Sequence, residues 1–466
     1  MKTKTAQHAD CLLLTALLVS ISFAFFLANE SQGAENDVVD MIVELINGSD
    51  NDMRTLAFQQ IRESVPGEDA TRRFVKLLPT LTTDLQVRLI DALGERGDAV
   101  ARPTILDMLN SKTEAIRDVA ARALPGVANP ADVPILAKMA ATGTGPETEA
   151  ARQSLRLLRG DAMNVAMIEA IKKANGKTKI ELMGALVDRK VTQSIPAMLE
   201  SLEDSDLGVR LAVLDALRAM ASEEYTAVIV KHLKSAKDKS ERRKAALTLV
   251  ATCRRGRIKT ADAVIAGFKG ADAATRISLI RALPEAGGVK ALSEVVTKLK
   301  DKDKGVSSEA VRVLAGWPDR AATPYLKTLA HDKKNLRNHI LAIRGLARLA
   351  SPGKDRTPDF ATLSEAMKLA TRKEEKVLVL GTLGKIPTLE SLTLAASFMD
   401  QPTLAEDAGL AAVLIAEKIA KDKKTHVQTI LQKVTETVQS KKTRDRANKV
   451  LEALQPQAST SIPPKS

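Results

Sequence analysis

The sequence predicts an all-α protein, a right-handed α-solenoid of about a dozen helix pairs. Apolar residues recur at three- and four-residue spacing, which is the helical period. A short motif returns mostly every 31 to 34 residues along the 466-residue chain. Hydrophobic residues make up 44% of the chain but aromatic residues only 2%, so the core must be aliphatic. A chain of this length exceeds one compact core, whereas a solenoid adds core unit by unit.

Residues 1–34 are interpreted as a Sec-type signal peptide. Lys2 and Lys4 precede an apolar run from Cys11 to Leu27, and the small residues Gly33 and Ala34 follow it. We therefore expect cleavage near Gly33 or Ala34 and export to the periplasm or the cell exterior, with no transmembrane span left after cleavage. An uncleaved membrane anchor stays an alternative, because the run is slightly short for a span but the small-residue pattern is imperfect.

The repeated motif ends a helix with an apolar pair. Residues 86–93, 117–124, 210–217 and 276–283 read QVRLIDAL, RDVAARAL, RLAVLDAL and RISLIRAL. The closing aliphatic residue serves as an anchor for each copy. The predicted anchors are Ile61, Leu93, Leu124, Leu158, Leu186, Leu217, Val250, Leu283, Leu314, Leu346, Leu383 and Leu414, with a cap at Leu451.

A basic residue recurs near the start of these helices: Arg54, Arg88, Arg117, Arg210, Arg243 and Arg276. Two roles are consistent with this pattern. A ladder of ligand contacts is the functional one. The favoured role is structural. Each arginine is expected to bond an acidic loop residue of a neighbouring repeat, as such arginines usually do in helical repeat proteins.

A second helix lies between successive anchors and is often opened by proline. Pro103, Pro134, Pro196 and Pro324 stand where a first helical turn is expected, a place that tolerates proline because its missing N–H had no partner there. Polar loops such as residues 203–206 supply capping side chains for the next helix. Each unit is therefore predicted to be two antiparallel helices.

An acidic loop followed by V-R-x-x-A-x-x-A-L resembles the short bacterial HEAT-like repeat, from Asp37 to Leu454. A tetratricopeptide array would need recurrent aromatic residues, and the chain has one Trp and two Tyr. The segments 338–348, 366–372, 375–380 and 406–412 are similar to exported bacterial HEAT-repeat proteins, whose repeats often accompany a sugar-processing domain. The resemblance implies a stand-alone binding or scaffolding role. Carbohydrate-active enzymes are one class of partner that it suggests.

The spacing of the repeat changes in the C-terminal part of the chain. Prolines at 352 and 358 lengthen one step of the repeat, so a bend or domain seam is predicted there. The predicted organisation is a solenoid over residues 35–349, further repeats and a cap over 350–454, and a disordered tail over 455–466.

The formal net charge is +13, and the signal peptide removes two basic and two acidic residues, so the mature chain keeps it. Such charge attracts anionic partners, and salt weakens the attraction. A merely solvated surface is the favoured interpretation of these charges, and a site for acidic proteins or anionic envelope polymers is the sharper alternative. Nucleic acid is disfavoured because export separates the chain from it and aromatic stacking residues are scarce. The candidate surface comprises Lys231, Lys234, Lys237, Lys239, Arg254, Arg255, Arg257 and Lys259.

No catalytic, cofactor-binding or metal-binding residues are predicted. The four mature histidines are scattered, and the mature chain keeps one cysteine, Cys253. Cys253 is interpreted as a packing residue, although its arginine neighbours leave a reactive thiol as an alternative. Residues 176–178 end like a phosphate loop but lack the upstream glycine and strand.

The predicted function is that of a non-catalytic exported scaffold, which binds other proteins on an extended curved surface. Fold precedent keeps other functions open, namely a bilin-lyase-like enzyme, a DNA-glycosylase-like enzyme or a nucleic-acid binder.

Overall fold

The computed structural model describes residues 32–63, 67–353 and 356–455. Throughout these ranges the regular secondary structure is helical, apart from one isolated bridge between Gly353 and Arg356. The predicted all-α class is confirmed. The predicted signal peptide lies outside the described residues except for 32–34, which begin the first helix, and the predicted tail lies outside them except for Gln455. Among the described residues, none of the helices is both long and apolar enough to cross a membrane.

The chain forms two compact units, which meet in the sequence between Ala221 and Ser222. The first unit contains six helix pairs in its described residues. They are α1 (Gln32–Asn47) with α2 (Asn51–Glu63), α3 (Glu68–Leu77) with α4 (Thr83–Arg96), α5 (Arg102–Met108) with α6 (Glu114–Val127), α7 (Val133–Thr142) with α8 (Glu147–Leu157), α9 (Asp161–Lys173) with α10 (Gly176–Asp188), and α11 (Ile195–Leu199) with α12 (Leu207–Met220).

The second unit contains seven pairs in its described residues. They are α13 (Thr226–Ser235) with α14 (Lys239–Gly256), α15 (Ala261–Ala266) with α16 (Ala273–Ala286), α17 (Gly288–Lys298) with α18 (Lys304–Ala315), α19 (Thr323–His331) with α20 (Leu336–Ala350), α21 (Phe360–Leu369) with α22 (Lys373–Leu383), α23 (Leu389–Ala396) with α24 (Ala405–Ile419), and α25 (Lys424–Thr437) with α26 (Lys441–Ala453).

Helices pack in serial order within each unit. In the first unit α6 packs against its partner α5 and against α4 and α8, the second helices of the adjacent pairs. In the second unit α16 packs in the same way against α15, α14 and α18. Each pair therefore covers the apolar face of the next, which confirms the predicted solenoid architecture in both units.

Proline opens four of the first helices, as predicted. Pro103, Pro134, Pro196 and Pro324 all stand at the first or second helical position of their helices. Aspartate caps several second helices, and the Asp238 side chain accepts hydrogen bonds from the backbone N–H groups of Ser240 and Glu241. These caps satisfy donors that the helix itself cannot pair.

The buried register is the same in most second helices. In α4, the side chains of Leu89, Ile90, Ala92 and Leu93 are fully buried, and Leu93 is the predicted anchor. The fully buried anchors of other helices are Ile61, Leu124, Leu186, Leu217, Leu283, Leu314, Leu346 and Leu383.

Four predicted anchors do not hold that register. Val250, Leu414 and Leu451 are half-buried, and Leu158 is buried but follows the last residue of α8. The buried register places Leu155, Leu249 and Ala412 in α8, α14 and α24 at the anchor position. Several aliphatic residues are adjacent in these helices, so the spacing of apolar letters alone could not choose among them.

Two glycines let α4 and α6 cross at close range. A Cβ at Gly126 would lie 1.8 Å from the Gly94 carbonyl oxygen, and a Cβ at Gly94 would lie 2.5 Å from the Cβ of Ala123. The backbones therefore touch, and this crossing has no room for a side chain at either glycine.

The proline-containing insertion joins α20 to α21. Here Gly353 and Arg356 form a short antiparallel bridge, and the backbone N–H of Asp359 donates to the carbonyl of Ala350. Helix α20 packs against both α21 and α22, so the helices on the two sides of the insertion contact each other.

Candidate functional site

The eight predicted anion-binding residues do not form one cluster. Lys231, Lys234, Lys237 and Lys239 lie around the junction of α13 and α14, whereas Arg254, Arg255, Arg257 and Lys259 lie at and beyond the end of α14. Helix α14 has 18 residues. At 1.5 Å per residue the two groups are separated by about 25 Å along its axis.

Several of the eight charges are already used within the protein. The guanidinium of Arg254 pairs with Glu285 at 2.8 Å, and the ammonium of Lys259 pairs with Glu223 at 2.8 Å. The Arg254 hydrogen bond keeps the pKa of Glu285 below its ordinary value. Lys234 donates to the backbone carbonyl of Lys269, in the turn between α15 and α16, at 2.7 Å. The eight residues therefore lie in two separate regions, and their role in binding an anionic partner stays a prediction.

The repeated arginine at the start of the second helices joins helices together. Arg210 Nη1 donates to the carbonyl of Asp204, at 2.7 Å, and Arg117 Nη1 to that of Ser111, at 3.0 Å. These carbonyls lie at the C-terminal end of the preceding helix or just after it, where partners are otherwise lacking. Arg117 also pairs with Glu147 of the next pair at 3.2 Å. The predicted structural role is confirmed for Arg117.

Two members of the predicted ladder stand elsewhere. In α14 the position belongs to Arg242, which donates to the Ala236 carbonyl and pairs with Asp272 at 3.4 Å, while Arg243 is exposed to solvent. In α4 the position belongs to Gln86, whose side chain donates to the Leu78 carbonyl at 2.9 Å. Arg88 instead lies over the ring of a neighbouring phenylalanine, 4.6 Å from its centroid.

Sequence reasoning missed a second set of structural arginines, which join successive pairs near the ends of their second helices. Arg96 donates to the carbonyls of Ile61 and Gly67, both at 3.0 Å. Arg348 donates to the carbonyl of Ala315 at 3.0 Å. Burial lowers the pKa of both arginines. A basic residue two or three places after the anchor was the available sequence signal.

The solvent-facing side of the second helices differs between the two units. In the first unit, the residues two places before the anchors are Gln59, Asp91, Arg122, Gln153, Gly184 and Asp215. In the second unit, the corresponding residues are Leu247, Arg281, Arg312, Arg344, Gly381 and Leu410. The second unit therefore carries a run of arginines from α16 to α20, which we name the arginine strip (Arg281, Arg312 and Arg344).

A glutamate holds two members of the arginine strip. Glu309 accepts from Arg281 Nε at 2.8 Å and from Arg312 Nε at 3.0 Å. Burial raises the pKa of Glu309, but the hydrogen bonds from Arg312 and Arg281 together outweigh it, so the pKa lies below its ordinary value. Glu309 is therefore an ionised bridge between α16 and α18.

An open groove of about 500 Å³ lies beside the arginine strip, between α18 and α20. Leu336, Ile340 and Leu341 form its apolar lining. Its charged lining residues are Arg312, Arg337 and Arg344. In the described part of the chain, Arg337 and Arg344 form no ion pair, so the groove combines an apolar floor with two guanidiniums that lack a carboxylate.

His339 and Cys253 are buried in the core. His339 Nδ1 donates to the Ala330 carbonyl at 2.7 Å, and its Nε2 lies 3.3 Å from Glu375. Burial raises the pKa of the Cys253 thiol to about 11, so the alternative of an activated thiol is wrong. Across the described ranges, no three His, Cys, Asp or Glu side chains are grouped to hold a metal ion.

Comparisons with known proteins agree with the repeat. Residues 71–156 and 165–250 match a family model of HEAT repeats, which confirms the resemblance predicted from the motif. The search of curated protein sequences gives no significant match.

Among solved structures, the chain is similar to importin beta at 11% identity and a TM-score of 0.36, over 89% of this chain and 72% of that chain. It is also similar to Kap121p bound to the extreme C-terminus of the protein phosphatase Cdc14p, at 12% identity and a TM-score of 0.48, over 97% of this chain and 57% of that chain. For Kap121p bound to Nup53p the identity is 12% and the TM-score 0.47, over 90% of this chain and 57% of that chain. The chain thus spans little more than half the length of Kap121p.

Proposed function

We propose that the chain, whose residues 71–156 and 165–250 match a family model of HEAT repeats, is an exported, non-catalytic scaffold that binds acidic proteins. Its binding surface is the solvent-facing side of the second helices in the second unit. One observation carries the proposal: cationic and apolar side chains share that surface, and some of its cations have no carboxylate partner among the described residues. The groove between α18 and α20 contains both kinds of side chain.

Charge supports an acidic partner. The chain carries a net charge of +13, and Arg243, Arg337 and Arg344 are exposed on second helices of the second unit. A surface of one sign attracts partners of the opposite sign and accelerates their encounter. Exposed cations also make the association sensitive to salt, because the Debye length shortens as ionic strength rises.

The placement of Cys253 argues against a covalent mechanism through this thiol. A nucleophilic cysteine needs a thiolate that its substrate can reach. Cys253 is fully buried, and its pKa is raised. A bilin-lyase-like reaction at this residue would therefore require the helix pair to open first.

A capture experiment tests the proposed function. The purified mature chain is immobilised and exposed to an extract of envelope and secreted proteins at about 50 mM and about 500 mM salt. We expect proteins of acidic isoelectric point to be retained at low salt and released at high salt. A variant carrying Arg243→Glu, Arg337→Glu and Arg344→Glu should lose them.

The same experiment separates the alternatives. Capture of nucleic acid or of an envelope polysaccharide, with no protein, would replace the protein-scaffold function with a polyanion-binding one. Equal capture by the wild type and the triple variant at both salt concentrations would refute a role for this surface.

Export is the second part of the proposal. The basic start, apolar run and small residues of the N-terminal segment support it. Fractionation of the producing cell should place the chain outside the cytoplasm, with a new N-terminus near Gly33 or Ala34. A cytoplasmic chain that retains its first residues would contradict export.

A further inference from the structure

We infer that the groove between α18 and α20 binds an acidic peptide segment that inserts an aliphatic side chain. This inference rests on the proposed function and names the site and the chemistry of the partner. It depends on three features of the groove: an exposed apolar floor, guanidiniums without carboxylate partners, and residues that the repeat itself does not require.

The floor of the groove is unusually apolar for a solvent-facing surface. Leu336 is 51% exposed, and Ile340 and Leu341 are half-buried next to it. The three side chains lie on one side of α20, at spacings of one to five residues. Covering exposed aliphatic surface is favourable by about 25 cal/mol per Å², so an inserted aliphatic side chain would gain affinity here.

The charged side chains of the groove suit an anionic segment. Arg344 and Arg337 are exposed and seven residues apart on α20, and neither forms an ion pair in the described part of the chain. Arg312 faces the groove from α18 but is held by Glu309 at 3.0 Å. Arg344 and Arg337 are therefore available for bidentate contacts with carboxylates of a partner.

The local sequence gains no helix stability from this arrangement. The first turn of α20 contains Arg337 and no acidic residue, although a helix N-terminus favours negative charge. Another second helix, α12, begins with Leu207, but that leucine is half-buried, whereas the helices adjacent to α20, α18 and α22, begin with Lys304 and Lys373. Since neither adjacent helix places a large apolar residue in this position, folding of the repeat does not explain Leu336.

The shape of the groove favours a peptide over other occupants. It is open to solvent along the surface, whereas small-molecule pockets bury most of their ligand. The anionic groups of a polysaccharide or nucleic acid would pair with the arginines but leave the apolar floor exposed to water. A segment with carboxylates around an aliphatic anchor satisfies both features, as in the helix-in-groove mode of recognition.

Fluorescence anisotropy with defined probes tests the inference. The probe is a fluorescein-labelled peptide of about 14 residues, rich in glutamate, with leucine at every fourth position. A second peptide has serine in place of leucine and the same charge. We expect the leucine peptide to bind the mature chain at least about tenfold more tightly.

Matched variants locate the site. Leu336→Ala and Arg344→Ala should each weaken binding of the leucine peptide about tenfold. The controls are Leu157→Ala and Arg159→Ala at the end of α8, which remove an exposed leucine and an exposed arginine from the first unit. Their effect on affinity should stay below about twofold. Emission of the single tryptophan, Trp317, which is fully buried, verifies that each variant is folded.

Each other outcome overturns the inference. Equal affinity for the leucine and serine peptides, or tighter binding of heparin that Leu336→Ala leaves unchanged, would make the surface a general polyanion site. An equal effect of the first-unit and α20 variants would move the site away from this groove. If the leucine peptide fails to bind while the wild-type chain still captures acidic proteins, the groove assignment fails and the proposed function stands. Failure of the capture itself refutes the proposed function.

Discussion

At the scale of single residues, charges in this protein chiefly bind one helix pair to the next. Glu309 accepts from arginines of two successive pairs, and Arg96 and Arg348 close the carbonyl ends of the preceding second helices. Such contacts are partly buried, so they stabilise more than exposed ion pairs do. Because these contacts join each helix pair to the next one in the chain, they fix the order in which the pairs pack.

Replacing the bridging carboxylate should destabilise the second unit. In Glu309→Gln, the charge that holds Arg281 and Arg312 is lost and the two guanidiniums repel each other. We expect the free energy of unfolding to fall by about 1 to 3 kcal/mol at pH 7. Urea denaturation followed by circular dichroism measures it. An unchanged midpoint would show that the bridge contributes nothing.

The same residue predicts a pH dependence. The folded-state pKa of Glu309 lies below its ordinary value, so its contribution is complete above the unfolded-state pKa and is lost as pH falls through the folded-state pKa. The stability difference between wild type and Glu309→Gln should therefore be constant from pH 6 to pH 7 and shrink below about pH 4. Denaturation curves at several pH values measure it, and a difference that grows on acidification would contradict the assignment.

The thiol of Cys253 should be unreactive in the folded protein. Burial raises its pKa to about 11, so it stays protonated at pH 8 and out of reach of reagents. Iodoacetamide should leave the Cys253 peptide unmodified in buffer and alkylate it in denaturant, as mass spectrometry would show. Rapid labelling of the native chain would restore the reactive-thiol alternative.

At the scale of helices, small residues decide how closely the pairs approach. The contact of α4 with α6 passes through Gly94 and Gly126, and a Cβ at either position would overlap backbone or Ala123. Elsewhere the packing leaves room for a side chain in place of glycine. At Gly184 in α10, a Cβ would have no neighbour within 4 Å. The two glycine classes look identical in the sequence.

This contrast gives a matched pair of substitutions. Gly126→Ala should destabilise the first unit by about 1 to 3 kcal/mol, because α4 and α6 must move apart. Gly184→Ala should be neutral or stabilise by up to about 1 kcal/mol, because alanine is the better helix former. Thermal melting of both variants measures the effect, and equal shifts would mean that the α4–α6 crossing is looser than described.

The sequence predicted helix pairs well because their signals are local. Proline at the helix starts, aspartate caps and three-to-four spacing act within a few residues, and Pro103 or Pro324 therefore marked its helix correctly. Register was lost in α14, where Leu249 and Val250 are adjacent and the packing of neighbouring helices selects Leu249. The basic residues at 231–259 are close in sequence but lie near the two ends of one helix, which proximity in sequence does not reveal.

The groove itself could not be predicted from the sequence. Leu336 is the first residue of α20, and its 51% exposure depends on how the adjacent helices pack against α20. Whether an arginine is paired also depends on a second chain segment: Arg312 meets Glu309, and Arg344 meets no carboxylate in the described residues. Side-chain exposure and ion pairing both depend on a neighbouring helix and cannot be read from one helix alone.

At the scale of the whole molecule, stability is distributed along the stack. Each pair buries its apolar face against adjacent pairs, so the free energy of unfolding is close to a sum over pairs and their junctions. The two units also differ in charge on their second helices, which bear Asp91 and Asp215 in the first unit and the arginine strip in the second. This difference supports the proposal that acidic partners bind the second unit.

Damage to one anchor should remain local. Leu217 is fully buried in α12, and Leu217→Ala should cost about 2 to 5 kcal/mol through lost contacts and a cavity. Hydrogen exchange followed by mass spectrometry should show faster exchange in α10 and α12, with α4 and α20 unchanged. Uniformly faster exchange would indicate a single cooperative fold instead.

The serial contacts also bear on how such a chain lengthens over generations. A pair that touches its immediate neighbours alone can be duplicated or lost without rebuilding a distant core, so genes of this type can change by whole modules of about thirty codons. Duplication of a pair with an exposed leucine and unpaired arginines would copy its ligand preference with it. A longer descendant could then hold several acidic segments along one edge, and gain avidity without any new contact.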